Sequence, residues 1–293
     1  MIDAALRPAR NHDFALPAGA IAGNRTRHGG IAIAVGAKCL EREEVCVEAT
    51  AADDIATGRR ELTASGAREE RGREEDRRAD PLAELGVQGI PAHLLHEHIA
   101  LDIGTEAIAE ILSRDHAIPA HIAAVSRLVC DLNREESAPG LVPEASDGHP
   151  IPGNVGVDRE GRLARFHRPY HSALEQWLAT AQPALILSLH SFTPRLETSD
   201  AARPWQVGVL YNQDDGAARI AIPLLAAHGF NVGDNLPYSG RDLNYTMNRH
   251  AEGEGRAYLG IELRQDLVRT PAEQSRWAAI LADIAQRVAS VLR

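Results

Sequence analysis

The pattern of apolar and polar positions changes character along the chain. From about residue 81 onward it is orderly. Ile108, Ile111 and Leu112 place an apolar face on a helix over Ile103–Ser113. Ser126–Asp131 reads as a short buried strand, and Ala138–Gly161, rich in Gly, Pro and Asp, as a loop. Tyr170, Leu174, Trp177 and Leu178 recur at helical spacing, Pro183 stops that helix, and the near-continuous apolar run Ala184–Leu189 predicts a buried strand. Val207–Tyr211 and Tyr258–Leu263 predict further strands, with a helix over Ala217–His228 that Gly229 can cap. Trp277, Ile280, Leu281, Ile284, Val288 and Val291 form the stripe of a final amphipathic helix. Strands alternating with helices predict an α/β fold: a mixed, mostly parallel sheet flanked by helices.

The first 80 residues read differently. Gly29–Gly36 and Glu41–Glu48 could each be a short strand, but neither has a clear partner. Residues 59–80 are mostly Arg, Glu and Asp with a single Leu, which reads as a solvated helix or a linker. Of twelve aromatic residues, eleven follow position 165, so the first half is poor in the side chains that dominate core burial. The expected organisation is a poorly patterned, disordered or aberrant region over 1–80 and an α/β domain over 81–293.

Charge and cysteine content narrow the function. A formal net charge of −10 argues against non-specific nucleic-acid binding and against docking on an anionic membrane. No apolar run approaches the ~20 residues of a membrane helix, and the N-terminus carries no secretory pattern, so a cytoplasmic location is expected. Cys39, Cys46 and Cys130 contain no C-x-x-C pair, which excludes a disulfide framework and a four-cysteine zinc module. The oligomeric state is open.

Candidate chemistry gathers at the ends of predicted strands, where open α/β sheets bind ligands. Asp131-Leu-Asn-Arg134 follows the first, His190-Ser191 the second, and Glu262 lies in the third. His190 follows an apolar run, which suits a metal ligand or a hydrogen-bonded core histidine. Glu262, between Ile261 and Leu263, is either a desolvated proton relay or half of a salt bridge with Arg264. Asn133 and Arg134 could present an amide and a guanidinium to a carboxylate, or cap a helix. His96 and His98, two residues apart, read as surface or local capping histidines.

Ser126-Arg-Leu-Val-Cys-Asp-Leu-Asn-Arg134, Leu189-His-Ser-Phe-Thr-Pro194, Asn235-Leu-Pro-Tyr-Ser-Gly240 and Gly260-Ile-Glu-Leu-Arg264 resemble the N-formylglutamate amidohydrolase family. His98-Ile-Ala-Leu-Asp-Ile-Gly104 also resembles it, with Leu101 where a tryptophan is usual. The resemblance spans about 81–293. It implies a phosphorylase/hydrolase-like fold, kinship with zinc carboxypeptidases and aspartoacylases, and zinc-dependent hydrolysis of an N-acyl acidic amino acid, N-formyl-L-glutamate above all. It also implies roles: His190 a zinc ligand, Asp102 a ligand or a partner behind one, Glu262 the general base and then acid, and Arg127, Asn133 and Arg134 the holders of the substrate carboxylate.

One expected motif is absent. The family has an early strand ending in a histidine motif ahead of Leu82, and His12 and His28, the only histidines before His93, do not fit it. Either the N-terminal third has diverged, or residues up to about 80 are an out-of-frame reading of a once normal gene. The alternative function is a catalytically impaired homologue that keeps the fold and binds a carboxylated ligand. Another zinc peptidase or deacylase activity would differ only in pocket detail.

Overall fold

The computed structural model describes residues 19–20, 30–37 and 89–293. The charged block at 59–80 and the strand expected at 41–48 lie outside these. Among the described residues, seven strands form one sheet: β1 (Gly19–Ala20), β2 (Ile31–Ala37), β3 (Ala120–Ala123), β6 (Leu185–Phe192), β7 (Val207–Leu210), β8 (Val232–Asp234) and β9 (Tyr258–Arg264). Their order is β1-β3-β2-β6-β9-β7-β8. The stretch β3-β2-β6-β9 is parallel, and β7 joins β9 antiparallel. A small hairpin, β4 (Ala145–Ser146) with β5 (His149–Pro150), lies in the long loop. The mixed, mostly parallel α/β sheet is the one the alternating pattern predicted.

The strand expected near Gly29–Gly36 forms as β2. It pairs on both edges, with β3 and with β6, although no partner was evident from sequence. The strand expected at Ser126–Asp131 does not form. Residues 127–129 are a turn, closed by Val129 and Cys130 N–H groups that donate to the Ser126 carbonyl. Leu128, Val129 and Cys130 are buried all the same, in a cluster of loop side chains that includes Leu141, Ile151 and Phe166. The real strand is the preceding Ala120–Ala123, whose small residues carry a weak apolar signal.

Among the described residues, the α-helices longer than a single turn are α1 (Thr105–His116), α2 (Arg168–Ala181), α3 (Gly216–Ala227), α4 (Tyr245–His250) and α5 (Pro271–Val291). The sequence T-P-A-E starts α5 with a capping box. Thr270 Oγ1 accepts from Glu273 N–H, Glu273 accepts from Thr270 N–H, and Pro271 occupies the first turn, where its missing donor costs nothing. Leu185, Leu187 and Leu189 of β6 and Leu259, Ile261 and Leu263 of β9 point to one side, into a core with α1, α3 and α5 that contains Trp277. Ile186 and Tyr258 point to the other, against Leu174, Leu178 and Met247 of α2 and α4. Trp177 is half-buried there. No helix among the described residues is long and apolar enough to cross a membrane.

Candidate active site

Strand alternation carries the second face straight to the site. Successive residues of a strand alternate sides, so Ile186, Ser188 and His190 share a face, as do Tyr258, Gly260 and Glu262. The β6–β9 register pairs them row by row and sets His190 opposite Glu262, near the end of both strands. Across β9, Glu262 stands opposite Gly208 of β7, and Gly208 opposite Gly233 of β8. On the other flank Gly36 of β2 comes next in register to His190, since Val35 pairs with Leu189. One row thus reads glycine, histidine, glutamate, glycine, glycine.

The glycines make room for incoming loops. A Cβ on Gly36 would come 1.8 Å from Asp102 Oδ2 and 2.7 Å from His190 Nδ1. A Cβ on Gly208 or Gly233 would come 2.3 or 2.2 Å from the Leu236 carbonyl oxygen. The loop before α1 therefore lays Asp102 over Gly36, and the Asn235–Gly240 loop lays Leu236 over the other two glycines.

Asp102 is buried and doubly engaged. Arg127 Nε and Nη2 donate to its two oxygens at 2.8 and 2.9 Å, and His190 Nδ1 lies 2.6 Å from Oδ2. Burial pushes the Asp102 carboxyl up, but Arg127 and His190 outweigh it and hold its pKa at about 2. Burial also opposes the His190 imidazolium, yet the Asp102 hydrogen bond and charge raise its pKa above the ordinary value. With Nδ1 donating to Asp102, Nε2 is the ring atom His190 offers to anything bound. Arg127 reaches Asp131 as well, Nη1 to Oδ2 at 3.2 Å. Burial works against its charge, and Asp102 and Asp131 more than compensate, raising its pKa well above the usual value.

Glu262 is different. It is 6% exposed and its Oε2 has no hydrogen-bond partner. Burial, with Asp102 adding and His190 opposing, pushes its pKa up to about 7. Arg264, the salt-bridge partner considered from sequence, instead bonds Asp266 at 2.8 Å.

Asn133 accepts the Thr246 backbone N–H at 3.0 Å through Oδ1, so its NH₂ group is what it presents. It lines a small cleft together with Gly36, Arg127, Tyr170, His190 and Thr246. Arg134 is partly exposed and meets Asp131 only at 3.5 Å. The structure thus gathers Asp102, Arg127, Asn133, His190 and Glu262, with Arg134 at the edge. His98 stands apart, bonded to Asp147 at 3.0 Å. Two further residues reach the site that sequence reasoning did not assign. Arg203 donates to the Tyr238 hydroxyl at 3.1 Å, and the charges of Arg203 and Glu262 act on each other. Tyr238 lay within a quoted motif, but nothing in the pattern around Arg203 marks it.

A carboxylate with one unpartnered, desolvated oxygen, set beside an imidazole at the ends of parallel strands, is proton-transfer machinery suited to hydrolysis. The family model described as N-formylglutamate amidohydrolase matches residues 64–269, and the chain belongs to that family. The match begins inside the charged block at 59–80, ahead of the motifs that carry the resemblance. The crystal structure of gene product Atu2144 from Agrobacterium tumefaciens is similar, with 29% identity over 71% of this chain and 85% of that one, and a TM-score of 0.67. N-formylglutamate amidohydrolase from Ralstonia eutropha JMP134 shares the fold at 21% identity, over 72% of this chain and 89% of its own, with a TM-score of 0.51. No protein with a curated description matches the chain significantly.

Proposed function

We propose that this amidohydrolase hydrolyses an N-acyl acidic amino acid, with N-formyl-L-glutamate as substrate and formate and L-glutamate as products. The observation that carries the reading is Glu262: its unpartnered Oε2 lies in the row with His190. An ionised Glu262 accepts a proton from the attacking water and returns it to the departing amine nitrogen. Its raised pKa, about 7, suits a group that must both take and give a proton near neutral pH. Arg134 and the Asn133 NH₂ group bind the substrate carboxylate. Arg127 is tied to Asp102 and Asp131, so its part in that binding is electrostatic, and it also fixes the carboxylate that orients His190.

Zinc belongs to the proposal as the expected cofactor, with His190 Nε2 as its ligand atom. The described residues do not complete a site for it. No group of three or more His, Cys, Asp or Glu that could hold a metal occurs among them, and Asp102 is occupied by Arg127 and His190. Gly36 favours a second reading, a homologue with weakened turnover that retains ligand binding. The β2 residue beside His190 has no side chain and no room for one.

The test pairs metal analysis of the purified full chain with a substrate panel of N-formylglutamate, N-acetylaspartate and N-formylleucine. Formate release preferring the acidic substrate supports the first reading. Glutamate binding without turnover in zinc-supplemented protein supports the second, and neither binding nor turnover overturns both.

A further inference from the structure

Behind the Leu132–Arg134 segment lies a group of histidines that the proposed reaction does not use. A π-helical turn, Leu163–His167, leads directly into α2 and aims His167 and His171, one turn apart, at that segment. Both are fully buried. His171 Nε2 lies 3.0 Å from the Leu132 carbonyl oxygen and His167 Nε2 lies 2.9 Å from that of Arg134. A carbonyl only accepts, so both imidazoles carry their proton on Nε2. His171 Nδ1 must then accept, and His250 Nε2, from α4, stands 2.9 Å away to donate to it. The rings of His171 and His250 stack at 5.1 Å, and Tyr245 packs edge-on to His171 at 5.2 Å. From the same helix, Thr246 donates its hydroxyl to the Leu132 carbonyl at 3.3 Å and its N–H to Asn133 Oδ1.

The two carbonyls held in this way flank Asn133. Asn133 and Thr246 themselves line the cleft, so a fixed backbone on either side of Asn133 fixes where its amide stands there, with Arg134 next in the chain. We infer that His171, backed by His250 and seconded by His167, is a positioning residue that fixes the Leu132–Arg134 segment for capture of the substrate carboxylate. This rests on the reading given under Proposed function. The device works only with neutral imidazoles, because a proton on His171 Nδ1 would face the His250 donor. The charged groups near it, Arg249 and Arg168 together with Glu136 at 3.9 Å from His167 Nδ1, do not intervene in the three hydrogen bonds.

The test compares His171→Leu with His171→Gln in the full chain. The glutamine amide can donate from about the position of Nε2. Two quantities are read: steady-state kinetics with N-formylglutamate, and hydrogen–deuterium exchange of the Asn133 and Arg134 amides. For His171→Leu, exchange should quicken at both amides and KM should rise about five- to twentyfold, more than kcat falls, as expected for loss of one neutral hydrogen bond behind a binding group. His171→Gln should return both quantities to within about threefold of wild type. Unchanged exchange in the leucine variant, a fall in kcat with KM constant, or a glutamine variant no better than leucine would overturn the inference. Should His171→Leu fail to give a cooperative melt, the His167→Leu and His167→Gln pair reads the same segment at the Arg134 carbonyl. If wild type neither turns over nor binds N-formylglutamate, the functional reading fails, and the exchange measurements decide the histidine assignment by themselves.

Discussion

Two buried polar regions lie on the same face of the sheet and solve the problem of burial in opposite ways. Around His190 the groups are ionic: Asp102 is paired to Arg127 and His190, Arg127 also to Asp131, and Glu262 keeps an unpartnered carboxylate oxygen. Around His171 the groups are neutral: four imidazoles, at positions 121, 167, 171 and 250, are buried, and burial is the main cause of the lowered pKa of each. Charge can be buried when it is matched, and imidazole when it stays unprotonated. In the proposed reading the ionic region performs the chemistry and the neutral one holds the frame, and the unmatched carboxylate oxygen, Glu262 Oε2, belongs to the group assigned the proton transfer.

The largest effect should come from the unmatched atom. Glu262→Gln keeps shape but cannot accept a proton, so kcat should fall by about 10²–10⁴-fold. The same variant should melt higher than wild type at pH 8. The folded-state pKa of about 7 stands above the ordinary 4.5, so stability is lost as pH rises from 4.5 through 7, and the neutral amide escapes that loss. Full activity in Glu262→Gln would remove the mechanism.

Next comes the matched charge. Asp102→Ala leaves Arg127 and His190 without their shared carboxylate and should cost about 3–5 kcal/mol in urea unfolding. Adding Arg127→Met should recover part of that cost, because the stranded charge goes with it. Strict additivity of the two losses would show that the ion pair is not coupled.

The neutral region should fail in acid. The folded-state pKa values of His171, about 2, and of His121 and His250, about 4, lie below the ordinary 6.5. Their contribution is present above pH 6.5 and lost as pH falls toward the folded values, because the unfolded chain binds the protons. Each can cost up to about 1.4 kcal/mol per pH unit. Urea midpoints at pH 6.5 and 5.5 measure the slope. His121→Phe should flatten it, since His121 Nδ1 has no hydrogen-bond partner to lose. A midpoint independent of pH would contradict the neutral assignment.

The smallest effect concerns the edge of the cleft. Arg134→Ala removes a carboxylate contact made in ground and transition states alike, so KM should rise about tenfold with little change in kcat. An equal fall in kcat would instead place Arg134 in the chemistry.

The sequence alone determined what depends on local periodicity and chain chemistry. The helical stripes of α1, α2, α3 and α5 and the apolar runs of β6, β7 and β9 are all legible there, because burial of one face repeats every 3.6 or 2 residues. Motif residues named Asp102, Arg127, Asn133, Arg134, His190 and Glu262. Only the tertiary structure decided whether Ser126–Asp131 was strand or turn, since Leu128, Val129 and Cys130 are as buried among loops as they would be in a sheet. It also decided that Arg127 binds Asp102, that Gly36 stands beside His190, and that two histidines, one of them backed by a third, meet one loop. These are pairings between residues distant in sequence, fixed by strand register and loop crossing, and a pattern that reports how much a residue is buried carries no information about what it is buried against.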